Sequence, residues 1–150
     1  MQKSSPKPFP ERARARRRAL QALYQWQIAG GSMAHIIEQF NEEQDMAIAD
    51  GEYFAELLRG VEAHRETIDT VLTPLCDRPL EQVDPIERAV LRLAAFELMQ
   101  RLDVPYRVVL NEAIDLAKDF GAVGGHGYVN AVLDKAIRHW RAAEVAGRSA

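Results

Sequence analysis

The stretch from Ala89 to Met99 is apolar on nearly every side of a helix, interrupted by Arg92 and Glu97. Such a helix needs neighbours around most of its circumference, so the stretch predicts a central helix inside a bundle. Its start is marked by Asp84-Pro85-Ile86-Glu87: a capping carboxylate, a proline at the first helical position and a glutamate three residues after the cap. The neighbours come from the rest of the chain, where apolar side chains recur at spacings of three and four. Ala19, Ala22, Leu23 and Trp26 form one stripe, with Trp26 expected in the core; Met33, Ile36, Ile37 and Phe40 form a second. Tyr53, Phe54, Leu57, Leu58 and Val61 form a third, and Ile68, Val71, Leu72 and Leu75 suggest a separate helix beyond His64. Val109, Ala113, Leu116 and Phe120, then Val129, Val132, Leu133, Ala136, Ile137 and Trp140, complete the set. Gly30-Gly31, Ser32, Asp50, Pro74, Pro79, Pro105 and Gly121 are the stops and caps between them, and Asn41 to Met46 reads as a polar connection. No segment alternates with the two-residue period of a half-buried strand, so the fold class is all-α with about seven helices.

The helix over Glu11 to Ile28 carries more than a core stripe. Arg12, Arg14, Arg16, Arg17 and Arg18 fall within seven residues at its start, where the helix dipole disfavours cations and an external anion would relieve the penalty. At 100° per residue, Arg14, Arg17, Gln21 and Tyr24 line a side away from the apolar stripe, a ridge of guanidinium, amide and phenol. Guanidinium forks suit phosphates, and amides, phenols and aromatic planes suit bases. A solvated charge run is the plainer reading of the same arginines. The charge distribution favours the first: residues 1 to 18 hold seven Lys/Arg against one Glu, and residues 19 to 150 hold twelve against twenty-one. A net charge of -3 thus hides a basic arm on an acidic body.

Other chemistry is not legible. The histidines at 35, 64, 126 and 139 have no ligand at metal-binding spacing, and neither a metal nor another cofactor is expected. The run GAVGGHG at 121 to 127 follows no strand, so it reads as an interhelical turn rather than a phosphate loop. Glu112 and Asp115 share a helix but no nucleophile with a base stands beside them, and the chain reads as a binding protein rather than an enzyme. Cys76 is single and reads as a structural thiol. No apolar run approaches a bilayer span and no signal-peptide segment opens the sequence, so no membrane partner and a cytoplasmic location are expected. Residues 1 to 10, with Pro6, Pro8 and Pro10, read as a flexible basic tail, 11 to 141 as the helical domain, and 142 to 150 as a frayed C-terminal tail.

The arginine cluster leading into ALQALYQW (19 to 26), ERAVLRLAAFEL (87 to 98), VPYRVVLNEAIDLAKDFG (104 to 121) and YVNAVLDKAI (128 to 137) together resemble the NusB family of bacterial transcription antitermination factors, over about residues 11 to 140. The resemblance implies two packed helical subdomains and non-catalytic binding of boxA-type single-stranded RNA in nascent ribosomal RNA. It implies a partner, the ribosomal protein NusE, and action within the antitermination complex of RNA polymerase. Arg12, Arg14, Arg16, Arg17 and Arg18 match the RNA-contacting arm, with Gln21 added from the same ridge. Tyr128 falls where the family has an aromatic residue near RNA. Tyr24 and Glu87 match positions that meet NusE, and Glu81 would extend that acidic patch. Two departures stand out: Val123, Gly124 and Gly125 occupy a turn where the family often has polar or acidic residues, and the usual VNG reads Val129-Asn130-Ala131. Backbone N–H groups at the start of the last helix could then replace side chains toward RNA. A homodimer of the free protein is left open, as are two other readings: the NusB-like module of an RNA methyltransferase, which would require a following α/β domain, and a helical module that docks an acidic protein surface.

Overall fold

The computed structural model describes residues 9–43 and 47–149. Among the described residues there are seven α-helices and no strand: α1 (Pro10–Ala29), α2 (Met33–Glu43), α3 (Gly51–Leu72), α4 (Pro85–Gln100), α5 (Tyr106–Phe120), α6 (Gly125–Trp140) and α7 (Ala142–Ser149). The expected caps are in place. The Ser32 hydroxyl accepts from the His35 N–H, the Asp50 carboxylate from the Tyr53 N–H, and the Asp84 carboxylate from the N–H groups of Ile86 and Glu87. Residues 1–8 of the expected tail and 44–46 of the polar connection lie outside the described residues; Pro10 already belongs to α1, at its first position.

The helix count matches expectation, but two differences cancel within it. The helix expected to begin beyond His64 is the second half of α3, which runs unbroken for 22 residues. Nothing in it breaks a helix strongly: the next proline is Pro74, in the 3-10 turn Thr73–Leu75 that ends the element. Gly60 inside α3 serves packing instead, because a Cβ there would lie 2.0 Å from the Phe96 ring of α4. Residues 142 to 149, expected to fray, form α7. They are held because Glu144 accepts from the Arg141 guanidinium at 2.6 Å and from the Tyr106 N–H at 3.1 Å, which caps the start of α5.

Helix α4 is central as its composition requires, packed by α1, α3, α5 and α6, with Leu91 and Leu98 fully buried. Helices α1 to α3 gather on one side of it and α5 and α6 on the other, over one continuous core. Trp26 departs from expectation: it is half-buried, packed on the core with one side and met by the Arg65 guanidinium 5.4 Å from its ring centroid. At the far end of α4, the buried Arg141 donates to the carbonyls of Glu97, Leu98, Arg101 and Val104 at 2.8 to 3.1 Å. Those carbonyls belong to the last turn of α4 and the corner before α5; Glu97 and Arg101 each already accept one backbone N–H, from Arg101 and Val104, and the guanidinium is a second donor to both.

Candidate nucleic-acid interface

The five arginines of α1 divide by helical phase. Arg14 and Arg17 are exposed, Arg12 and Arg18 half-buried, and Arg16 buried at 5% exposure. Arg16 is the correction to the RNA-contacting set. It sits three residues before Ala19 and seven before Leu23, on the apolar stripe, and points into the bundle. There it forms a bidentate pair with Glu97 of α4, Nε to Oε1 at 2.9 Å and Nη2 to Oε2 at 2.8 Å, while the Tyr53 hydroxyl donates to the same carboxylate. Burial works to lower the Arg16 pKa, but the hydrogen bonds and charge of Glu97 outweigh it and leave the guanidinium more firmly protonated than usual. Burial, then Glu97, pushes the Tyr53 phenol above its ordinary value. The two charges that interrupt otherwise apolar stripes, Arg16 and Glu97, thus account for each other.

Arg12 is also partly recruited inward, its guanidinium 4.5 Å from the Tyr53 ring centroid. The outward face keeps the ridge: Arg14, Arg17 and Tyr24 exposed, Gln21 half-buried between them. Two contacts hold it. Arg14 Nη1 donates to the Ile48 carbonyl at 3.0 Å, and Arg17 Nη1 pairs with Asp119 at 2.6 Å with its plane 4.8 Å from the Phe120 centroid. Arg17 thereby ties the ridge to the end of α5, next to the turn 121–124. The Arg17–Asp119 pair is half-exposed, a geometry in which an ion pair contributes little and a phosphate can compete for the guanidinium. Arg18 has a buried Nε with no hydrogen-bond partner.

Tyr128 stands apart from the ridge. It is half-buried near the start of α6; its hydroxyl accepts from the Asp77 N–H at 3.4 Å, and the Arg78 guanidinium lies 5.3 Å from its ring centroid. Burial, then hydrogen bonding to Cys76, raises its phenol above the ordinary value. Arg78, exposed and paired with Asp77 at 2.7 Å, gives this patch a cation that sequence spacing did not reveal, since it comes from a loop fifty residues upstream in the chain. Between ridge and patch lies the turn, with Val123 fully exposed.

Of the three residues expected to meet a protein partner, Tyr24 and Glu81 are exposed. Glu87 is a second correction: it is 7% exposed and lies under the start of α6, so close to Gly125 that a Cβ there would fall 2.2 Å from its Oε2. Burial first, and the neighbouring Asp84 second, raise its carboxyl above the usual glutamate range. It precedes the buried Val90 and Leu91 by three and four residues and so shares their inward face of α4.

The NusB family model matches residues 13–138. The transcription antitermination protein NusB of Xanthomonas campestris pv. campestris (strain B100) is 60% identical over 133 residues, covering 89% of this chain and 84% of that one. Among solved structures, T. maritima NusB superposes with a TM-score of 0.77 at 28% identity, over 89% of this chain and 93% of the other. A structure of antitermination factors NusB and NusE in complex with dsRNA shares the fold at 24% identity, with a TM-score of 0.71 over 85% and 96% of the two chains. With a family model spanning nearly all of the described helices and a relative at this level of identity, the chain belongs to the NusB family of transcription antitermination proteins.

Proposed function

We propose that this chain is a non-catalytic, cytoplasmic antitermination factor that binds boxA-type single-stranded RNA of nascent ribosomal transcripts together with NusE, and so keeps RNA polymerase processive. The observation that carries the RNA reading is the exposed ridge of Arg14 and Arg17 with Gln21 and Tyr24, on a body whose remaining residues are net negative. Guanidiniums without a buried carboxylate supply phosphate contacts that position a strand, and the Tyr128–Arg78 patch across the turn supplies a ring for an unpaired base. Arg12 and Arg18 flank the ridge as supporting cations; Arg16 acts on the RNA only by fixing α1. Tyr24 and Glu81 are the exposed candidates for NusE contact, with Glu87 acting indirectly by seating the start of α6. The NusB of a shared-fold complex was solved with NusE and dsRNA, which supports both partner classes.

The test is a titration of single-stranded boxA RNA, a scrambled strand and a duplex, with and without NusE, over a range of salt. Each phosphate neutralised on a single strand contributes about 0.7 to the slope of log affinity against log salt, so three to four contacts give a slope of roughly -2 to -3. A flat salt response, or equal affinity for an acidic protein surface and for RNA, would overturn the reading in favour of a protein-docking module.

A further inference from the structure

A cleft of about 450 Å³ opens beside the C-terminal half of α1, lined by Trp26, Gln27, Arg65, Glu81, Arg88 and Arg92. Three guanidiniums from two helices face one space. Arg92 is committed: it pairs with Asp69 at 2.9 and 3.0 Å and donates to the Gln27 side chain at 2.8 Å. The other two have no carboxylate partner among the described residues. Arg88 spends a single nitrogen, Nη1, on the carbonyls of Leu80, Glu81 and Val83 at 3.0 to 3.5 Å. Arg65 is exposed, over the Trp26 ring. Burial, and then the charge of Arg92, lower the Arg88 pKa, while the carboxylates of Glu81, Asp69 and Asp84 oppose them.

We propose that this cleft is a second anion site, taking a phosphate group, free or on a nucleotide, with Arg65 and Arg88 as its donors and Trp26 and Gln27 beside the attached group. Its volume lies in the range of small-ligand clefts. A doubly charged tetrahedral oxyanion is bridged readily by two guanidinium forks that approach from different helices. The site faces away from the arginine end of the RNA ridge: Trp26 follows Arg17 by nine residues and is turned about 180° from it around α1.

The experiment is ¹H–¹⁵N NMR of the Trp26 indole, assigned with Trp26→Phe, at constant ionic strength. The probes are inorganic phosphate, AMP, a single-stranded oligonucleotide and polyglutamate. Phosphate and AMP should move the indole saturably, and Arg65→Gln should weaken both by about tenfold, the loss expected for one charge-assisted contact. Arg88→Gln should do the same; because Arg88 also holds the 80–83 carbonyls, the exposed Arg65 is the deciding variant. Comparable affinity for phosphate and AMP assigns a free ligand, and much tighter binding of the oligonucleotide assigns a strand. Arg14→Ala and Arg17→Ala should leave the indole response unchanged while altering the RNA salt slope, which separates failure of this site from failure of the ridge. No saturable shift with any phosphate-bearing probe, a shift with polyglutamate alone, or an unchanged Arg65→Gln response would overturn the proposal.

Discussion

Arg16 and Arg17 are neighbours in sequence and differ in every physical respect that matters. Arg16 is buried and bidentate to a buried carboxylate that also accepts from a tyrosine; Arg17 is exposed, bonded through one nitrogen to an exposed aspartate and laid on a phenylalanine. One step of 100° around α1 separates an internal brace from a group free to exchange partners. The contrast teaches that a basic cluster on an amphipathic helix is two populations, and that residue counts overstate the charge available to a ligand.

The largest expected effect tests the inner population. Arg16→Ala leaves Glu97 buried without its partner, and should cost about 3 to 5 kcal/mol in urea denaturation. Arg17→Ala should stay within about 0.5 kcal/mol of the parent. Equal midpoints for the two variants would abolish the distinction. Next in size is Tyr128→Ala, which should lose about 1 to 3 kcal/mol of RNA affinity with the salt slope nearly intact, if its ring carries a stacked base. An unchanged affinity would move the base contact elsewhere. Arg14→Ala and Arg17→Ala should each flatten the salt slope by about 0.7, whereas a conservative Arg16→Lys should not. A slope change from Arg16→Lys equal to that from Arg17→Ala would show that the inner arginine reaches RNA after all.

The smallest effect concerns Glu87. Its carboxyl is raised in the folded protein by burial and then by Asp84, so the folded state holds this proton more tightly than the unfolded chain does. The associated stability is full below the unfolded glutamate pKa and declines as pH rises through the raised value. Glu87→Gln should therefore gain slightly on the parent at neutral pH and lose that advantage in acid. Thermal melts of both proteins across that range would show it, and parallel curves would exclude the linkage.

Helix identity was legible because it rests on local signals: Asp50, Asp84 and Ser32 cap where their side chains reach the next N–H groups, and the stripes of α5 and α6 need only their own spacing. The apolar girth of residues 89 to 99 even placed α4 at the centre. What failed depended on contacts between distant segments. Whether α7 holds is decided by Glu144 meeting Tyr106, and whether Trp26 is covered is decided by the chain that forms the cleft beside it. In the site, the ridge was readable from phase alone. The inward turn of Arg16 was available too, since it shares the stripe of Ala19 and Leu23 and the apolar α4 carries an acid in need of a partner. Arg78 and the seat of Glu87 were not, because neither neighbour is local.

The Arg141 side chain has a bearing on the order of assembly. It supplies the donors for the α4–α5 corner from 37 to 44 residues downstream. On a chain emerging N-terminus first, α1 to α4 can collect around their shared core while the corner carbonyls still face water. Closure of the corner needs α6 made and folded back, and we predict that Arg141→Lys raises the unfolding rate more than it lowers the folding rate in stopped-flow measurements; a change confined to the folding rate would place these contacts in the folding nucleus. Contacts made after the nucleus slow unfolding more than they speed folding, and on that prediction Arg141 is a kinetic fastener of the finished bundle.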